Sequence, residues 1–212
     1  MTIQDNLFKS AQFGQPSAIF SINNSIPLTL TECFLSSHQG ACINAGRCLL
    51  NASSCTFIGG FNAIRQAGPG AECHLNDCYI SEIKNVAIYL ESDAEKVQLT
   101  SCDIVDCGDT ALKVEGGVKT VDIKSCLFNN NCLGKAYRKQ VSMKSVTFNI
   151  SHSKFENGDG LWVRNCTNSI LERCTFNNNI REGIQIDGKS NLTVKDCLFE
   201  KKREGCHFAT IS

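Results

Sequence analysis

Apolar residues in this chain fall on alternate positions in short runs, and the runs recur. One series is Leu28/Leu30, Leu50/Ala52, Cys73/Leu75, Val97/Leu99, Val121/Ile123, Phe148/Ile150, Ser169/Leu171 and Leu192/Val194. Three residues after each pair comes Cys33, Cys55, Cys78, Cys102, Cys126, Ser153, Cys174 or Cys197, at gaps of 22, 23, 24, 24, 27, 21 and 23 residues. Two positions further stands Leu35, Phe57, Ile80, Ile104, Phe128, Phe155, Phe176 or Phe199. A third alternating pair follows in most units: Ile88/Leu90, Leu112/Val114, Leu161/Val163, Ile184/Ile186 and Cys206/Phe208. Period-two alternation puts one face of a strand in a core. Helix-period patterning is missing throughout.

Three strands and their turns in about 23 residues are too few for a propeller blade, and the leucine-rich consensus is missing. One coil of a solenoid fits. The spacing predicts an all-β, right-handed parallel β-helix of about eight coils, with three strands per coil. Equivalent inward residues then stack about 4.8 Å apart, so one small apolar residue type is selected again and again. A reduced cysteine ladder fills that column, with Ser153 interrupting it in the irregular coil. Asn129-Asn130-Asn131, Asn157-Gly158 and Asn177-Asn178-Asn179 mark a corner, because Asn accepts left-handed backbone. Residues 28–212 are read as the repeat domain and residues 1–27 as a degraded or capping N-terminal coil. No capping helix is visible at either end, so the chain is expected to be part of a longer protein or to associate end to end.

Composition narrows the partners. Lys plus Arg and Asp plus Glu are 21 each, so no overall field draws in nucleic acid or an anionic membrane, and neither is expected to bind. Residues 1–14 lack the apolar block of a signal peptide. Fourteen cysteines occur without a single Cys-x-x-Cys, which speaks against zinc, and neither metal nor cofactor is expected. Cysteines that fill a core without bridging fit a cytoplasmic compartment. Cys107 and Cys132, near turns, are the candidates for reactive thiols, with core filling the better reading of both.

A coil of the form V-x-L-x-x-C-x-F, an Asn-rich turn and then G-I-x-I resembles the right-handed β-helices of the pectate-lyase superfamily. Residues 96–212 carry it best, with Val97, Leu99, Cys102 and Ile104 in one unit and Gly183-Ile184-Gln185-Ile186 in another. In cysteine content the chain is similar to intracellular eukaryotic members, the β-helix F-box proteins and the Shc-binding/Nessun dorma family. That resemblance implies a helix that binds proteins and, in some members, glycans.

The Asn-Thr-Asp, Gly-His-Gly and Arg-x-Pro-x-x-Arg signatures of pectinolytic relatives are missing, and outward Asp103 and Asp122 have no stacked acidic neighbour. Asn157-Gly158-Asp159-Gly160 echoes a sugar-hydrolase turn but reads better as a tight corner. No catalytic residue is assigned. On the third strand of each coil the outward residues read Tyr89, Lys113, Tyr137, Trp162, Gln185 and His207, with Arg138 and Lys139 beside them. Aromatic faces in a row suit a protein interface or stacking on sugars. The expectation is a non-enzymatic scaffold presenting this face and the 134–144 insertion to a protein partner. The alternative is a carbohydrate-active β-helix, either a lyase or hydrolase or a glycan-binding module.

Overall fold

The computed structural model describes residues 1–9, 18–22, 25–37, 39–91, 93–132 and 138–200, with the backbone of 209–211. It is a parallel β-solenoid of the predicted kind. Among the described residues, three sheets of nine strands each run the length of the molecule. The first begins with Thr2–Gln4 and ends with Leu192–Lys195, the second runs from Leu7–Lys9 to Leu198–Glu200, and the third from Phe20–Ile22 to Ala209–Ile211. Each of the eight units read from Cys33 to Cys197 supplies one layer. Thr2–Gln4, Leu7–Lys9 and Phe20–Ile22 add a layer before them, pairing in parallel with Leu28–Thr31, Phe34–Ser37 and Ala41–Ala45.

Register follows the sequence periodicity. Val97 faces Val121 and Val121 faces Phe148, while Ile104, Phe128, Phe155, Phe176 and Phe199 stand one above another. The last four rings stack with centroids 5.1, 4.7 and 4.8 Å apart and planes within 15°. The 4.8 Å interstrand spacing imposes this face-to-face stack, although isolated aromatic pairs favour offset or edge-on contacts.

The sulfur column lies at the corner between the first and second sheets, one residue before the strand. The residue ahead of each ladder position is left-handed, with φ of 50–56° at Glu32, Ser54, Asp77, Ser101, Ser125, His152, Arg173 and Asp196. That twist turns the next side chain inward against its own backbone. Ladder thiols give a hydrogen bond to the carbonyl two residues earlier: Cys55 to Ser53 at 3.2 Å, Cys102 to Thr100 at 3.3 Å, Cys174 to Glu172 at 3.3 Å. The position thus asks for a small side chain with a donor, not merely a small apolar one. Ser153 meets the demand, donating to Ser151 O at 2.9 Å and accepting from Cys126 N at 3.1 Å. Every described cysteine is unbridged.

At the next corner Asn130, Asn157 and Asn178 are left-handed, as their residue type predicts. Carboxamides of Asn178, Asn157 and Asn129 form a second ladder, Asn178 Nδ2 giving to Asn157 Oδ1 at 2.6 Å and Asn157 Nδ2 to Asn129 Oδ1 at 2.8 Å. Asn131 turns inward and is fully buried. It gives to Ile104 O and Gln140 Oε1 and accepts from Cys107 N, so this corner is sealed from within.

Candidate binding cleft

The third sheet and the turn that leads into it carry the chemistry. Across the sheet the outward register is Arg65, Tyr89, Lys113, Ser142, Trp162 and Gln185, and the backbone of Thr210 pairs beside Gln185. Tyr89, Lys113, Trp162 and Gln185 therefore share a row as expected. The place given to Tyr137 belongs to Ser142, and the place given to His207 belongs to Thr210. Tyr137 and His207 themselves lie outside the described residues, as do Lys135 and Lys201-Lys202-Arg203. The physical reason is the 27-residue spacing from Cys126 to Ser153: the extra residues precede the strand Val141–Lys144, so sheet pairing resumes beyond Tyr137.

Carried two residues upstream of the strands, the same register stacks Lys139, Asp159 and Glu182 in consecutive coils. Lys139 leaves only 7% of its side chain exposed. Its ammonium lies 3.4 Å from Asp159 Oδ2 and donates a short hydrogen bond to Glu182 Oε2. A residue expected beside the outward row is thus the buried centre of an ion triad. Asp159 Oδ1 is buried without a hydrogen-bond partner. Burial pushes the Asp159 carboxyl above its ordinary range; Lys139 opposes the rise and Glu182 adds to it. The turn fits here because of Gly160, where a Cβ would lie 1.9 Å from Gly183 O in the next coil. No other residue type allows that approach.

Beside the triad, Arg138 Nε lies 3.8 Å from Asp109 Oδ1, which also accepts from the Thr110 backbone at 2.7 Å. At the other end of the strand, Trp162 Nε1 donates to Asp187 Oδ2 at 2.6 Å, and Gln185 Nε2 reaches both oxygens of Asp187 at 3.3 Å. The indole is held by its edge, with its neighbours Ser142 and Gln185 in the flanking strands. Together these groups wall an open cleft of about 520 Å³ running from Lys139, Arg181 and Glu182 past Ser142 to Trp162 and Asp187. Sequence reasoning found Trp162, Gln185, Arg138 and Lys139 but missed Ser142, Asp159, Glu182 and Asp187. The signal was available in the register: Asp187 is one coil on from Arg164, and Glu182 is one coil on from Asp159.

Tyr89 stands three layers away from Trp162 in the same row. Its hydroxyl donates to Glu115 Oε2 at 2.7 Å, and Lys113 Nζ sits 4.9 Å from its ring centroid while pairing with Glu115 at 2.7 Å. Burial, then the Glu115 contact, pushes the phenol up to about 12, so Tyr89 remains a donor at neutral pH. Cys107 and Cys132 are fully enclosed, and burial pushes both thiols up to about 12. They fill the core, the better of the two readings their place near turns allowed. Among the described residues, no group of three His, Cys, Asp or Glu is placed to hold a metal ion.

A family model described as a right handed beta helix region matches residues 17–138 and 124–210. The chain belongs to the right-handed β-helix family. The β-helix is also similar to the crystal structure of tailspike protein 3 of bacteriophage CBA120, with 11% identity and a TM-score of 0.50. That match covers the whole of this chain and 49% of the tailspike, so the β-helix spans about half the length of its structural neighbour. At such identity the likeness is one of fold. No curated protein sequence matches the chain.

Proposed function

We propose that this β-helix binds carbohydrate in the cleft between Trp162 and the Lys139 triad. The observation that carries the reading is the setting of Trp162. A single indole, fixed through its N–H by Asp187, walls a concave site otherwise made of amide, hydroxyl, carboxylate and cationic groups. Sugars present hydroxyls at their edges and C–H groups on their faces, which is what an aromatic wall with polar neighbours recognises. A volume of about 520 Å³ lies within the range for small-ligand sites. The tailspike likeness supports the fold on which such a cleft is built.

A protein-binding scaffold is the second reading, favoured by the unbridged cysteines, which accord with a reducing, cytoplasmic setting. It fits the cleft less well, because a stable protein interface takes about 800 Å² from each partner and has a core depleted in charge. Here the concavity is lined by ion pairs.

Trp162 is the only tryptophan in the chain, so tryptophan emission excited beyond the tyrosine band reports on the cleft. Titration with polysaccharide fragments is expected to shift or quench that emission. Calorimetry is expected to show Trp162→Ala losing tenfold or more in affinity, with a stability cost of about 1 kcal/mol or less for an outward residue. Unchanged affinity in that variant, or no binding of any glycan by the parent chain, overturns the proposal.

A further inference from the structure

A second cleft, of about 530 Å³, opens at the same place in the coil but nearer the N-terminus. Asn44 and Arg65 line it from the third sheet, and Phe61 and Lys84 from the turn leading into that sheet. Phe61 is 53% exposed, an aromatic ring left open at a corner where a polar residue would do. The two clefts are the two ends of one row, because register leads from Arg65 through Tyr89, Lys113, Ser142 and Trp162 to Gln185. Five interstrand steps of about 4.8 Å separate the ends by about 24 Å. Between them lies the Tyr89 ring under the Lys113 ammonium. Tyr89 and Trp162 thus offer aromatic surface within the row, and Phe61 offers it from the turn beside the strand of Arg65.

Four cations along the track have carboxylate partners. Arg65 pairs with Glu91 at 2.5 Å, Lys113 with Glu115 at 2.7 Å, Arg138 with Asp109 at 3.8 Å, and Lys139 with Asp159 and Glu182. An anionic polymer gains little from cations that already have carboxylates beside them.

Resting on the carbohydrate reading above, we infer that the Phe61 and Trp162 clefts are two ends of one site for a single extended, uncharged polysaccharide lying along the helix axis. Occupying one end makes binding at the other intramolecular, so a chain long enough to span both gains more than either cleft alone provides.

The test uses the full chain and begins with retention of the protein on neutral polymers (glucan, mannan, xylan, chitin) and acidic ones (alginate, pectate, hyaluronan). A trisaccharide and a decasaccharide of the best-retained polymer are then titrated calorimetrically. The decasaccharide of a neutral polymer is expected to bind at least tenfold more tightly than its trisaccharide. Phe61→Ala should erase that advantage while leaving the trisaccharide unchanged, whereas Trp162→Ala should weaken both. Phe61 is half open to solvent, so folding of its variant is expected to match the parent by thermal melt. Equal affinity for the two lengths, an inert Phe61→Ala, or stronger retention on the acidic polymers overturns the single track. In each of those cases a trisaccharide that still depends on Trp162 leaves the Trp162 cleft standing. If no polymer is retained, both readings fall.

Discussion

Lys139 shows what a single side chain does in a stacked architecture. A lysine kept from water with two carboxyls is a costly arrangement unless each group has the others. Asp159 is already pushed toward its protonated form by burial, and the ammonium is what holds it back. Replacing the cation by an apolar residue of similar length, Lys139→Met, leaves Asp159 and Glu182 one layer apart with nothing between them. The affinity of Asp159 for protons, already raised in the folded state, then rises further. A group raised in this way favours the fold below its unfolded pKa, and the benefit is lost as pH climbs through the folded one. Lys139→Met is therefore expected to lose about 3 kcal/mol at neutral pH. The deficit should shrink as pH falls toward the ordinary Asp value of 3.8. Urea titrations at neutral and mildly acidic pH check this; a deficit that does not change with pH would show that the lysine acts through packing alone.

At the scale of one element, the ladder corner explains a preference that composition alone leaves ambiguous. Cysteine recurs because the left-handed residue before it turns a short donor onto a carbonyl two residues back, in a space too tight for a longer side chain. Ser153→Cys is expected to be nearly neutral. Ser153→Ala strands Cys126 N, while Ser151 O keeps the backbone N–H of Ser125, and should cost about 1–3 kcal/mol. Equal stabilities of the two variants in denaturant would remove the donor from the account. The same comparison marks what the sequence made legible. Repeats from Val97 to Phe199 announce their register because the inward residues alternate and are apolar except at Ser153 and Ser169. Tyr89, Trp162 and Gln185 follow from it by counting. The ion triad did not, because it depends on how the chain resumes pairing after the long spacing between Cys126 and Ser153. Choosing Val141–Lys144 as the strand, in place of a segment around Tyr137, required the sheet itself. Asp159 was hidden for another reason: Asn-Gly-Asp-Gly spells a turn, and the turn is real, but one of its carboxyls faces inward.

For the whole molecule, stability is a sum over layers, each touching only its neighbours. Twelve of the described thiols lie buried in those layers. Burial pushes Cys42 and Cys174 up to about 12, so they are unreactive as well as enclosed. A thiol reagent is expected to leave these twelve unmodified in the native protein and to reach them only on unfolding. Rapid labelling of Cys102 or Cys126 without unfolding would contradict a closed interior. The coil that contains Lys139 has a further consequence. Its 27-residue spacing is followed by one of 21, and the strands on either side pair as though nothing had been inserted. A solenoid that can lengthen one bend without moving the next layer has a natural place for variation. Peptides of new composition inserted between Cys132 and Arg138, with Lys139 and Gln140 kept, would leave the spine of the molecule as it is.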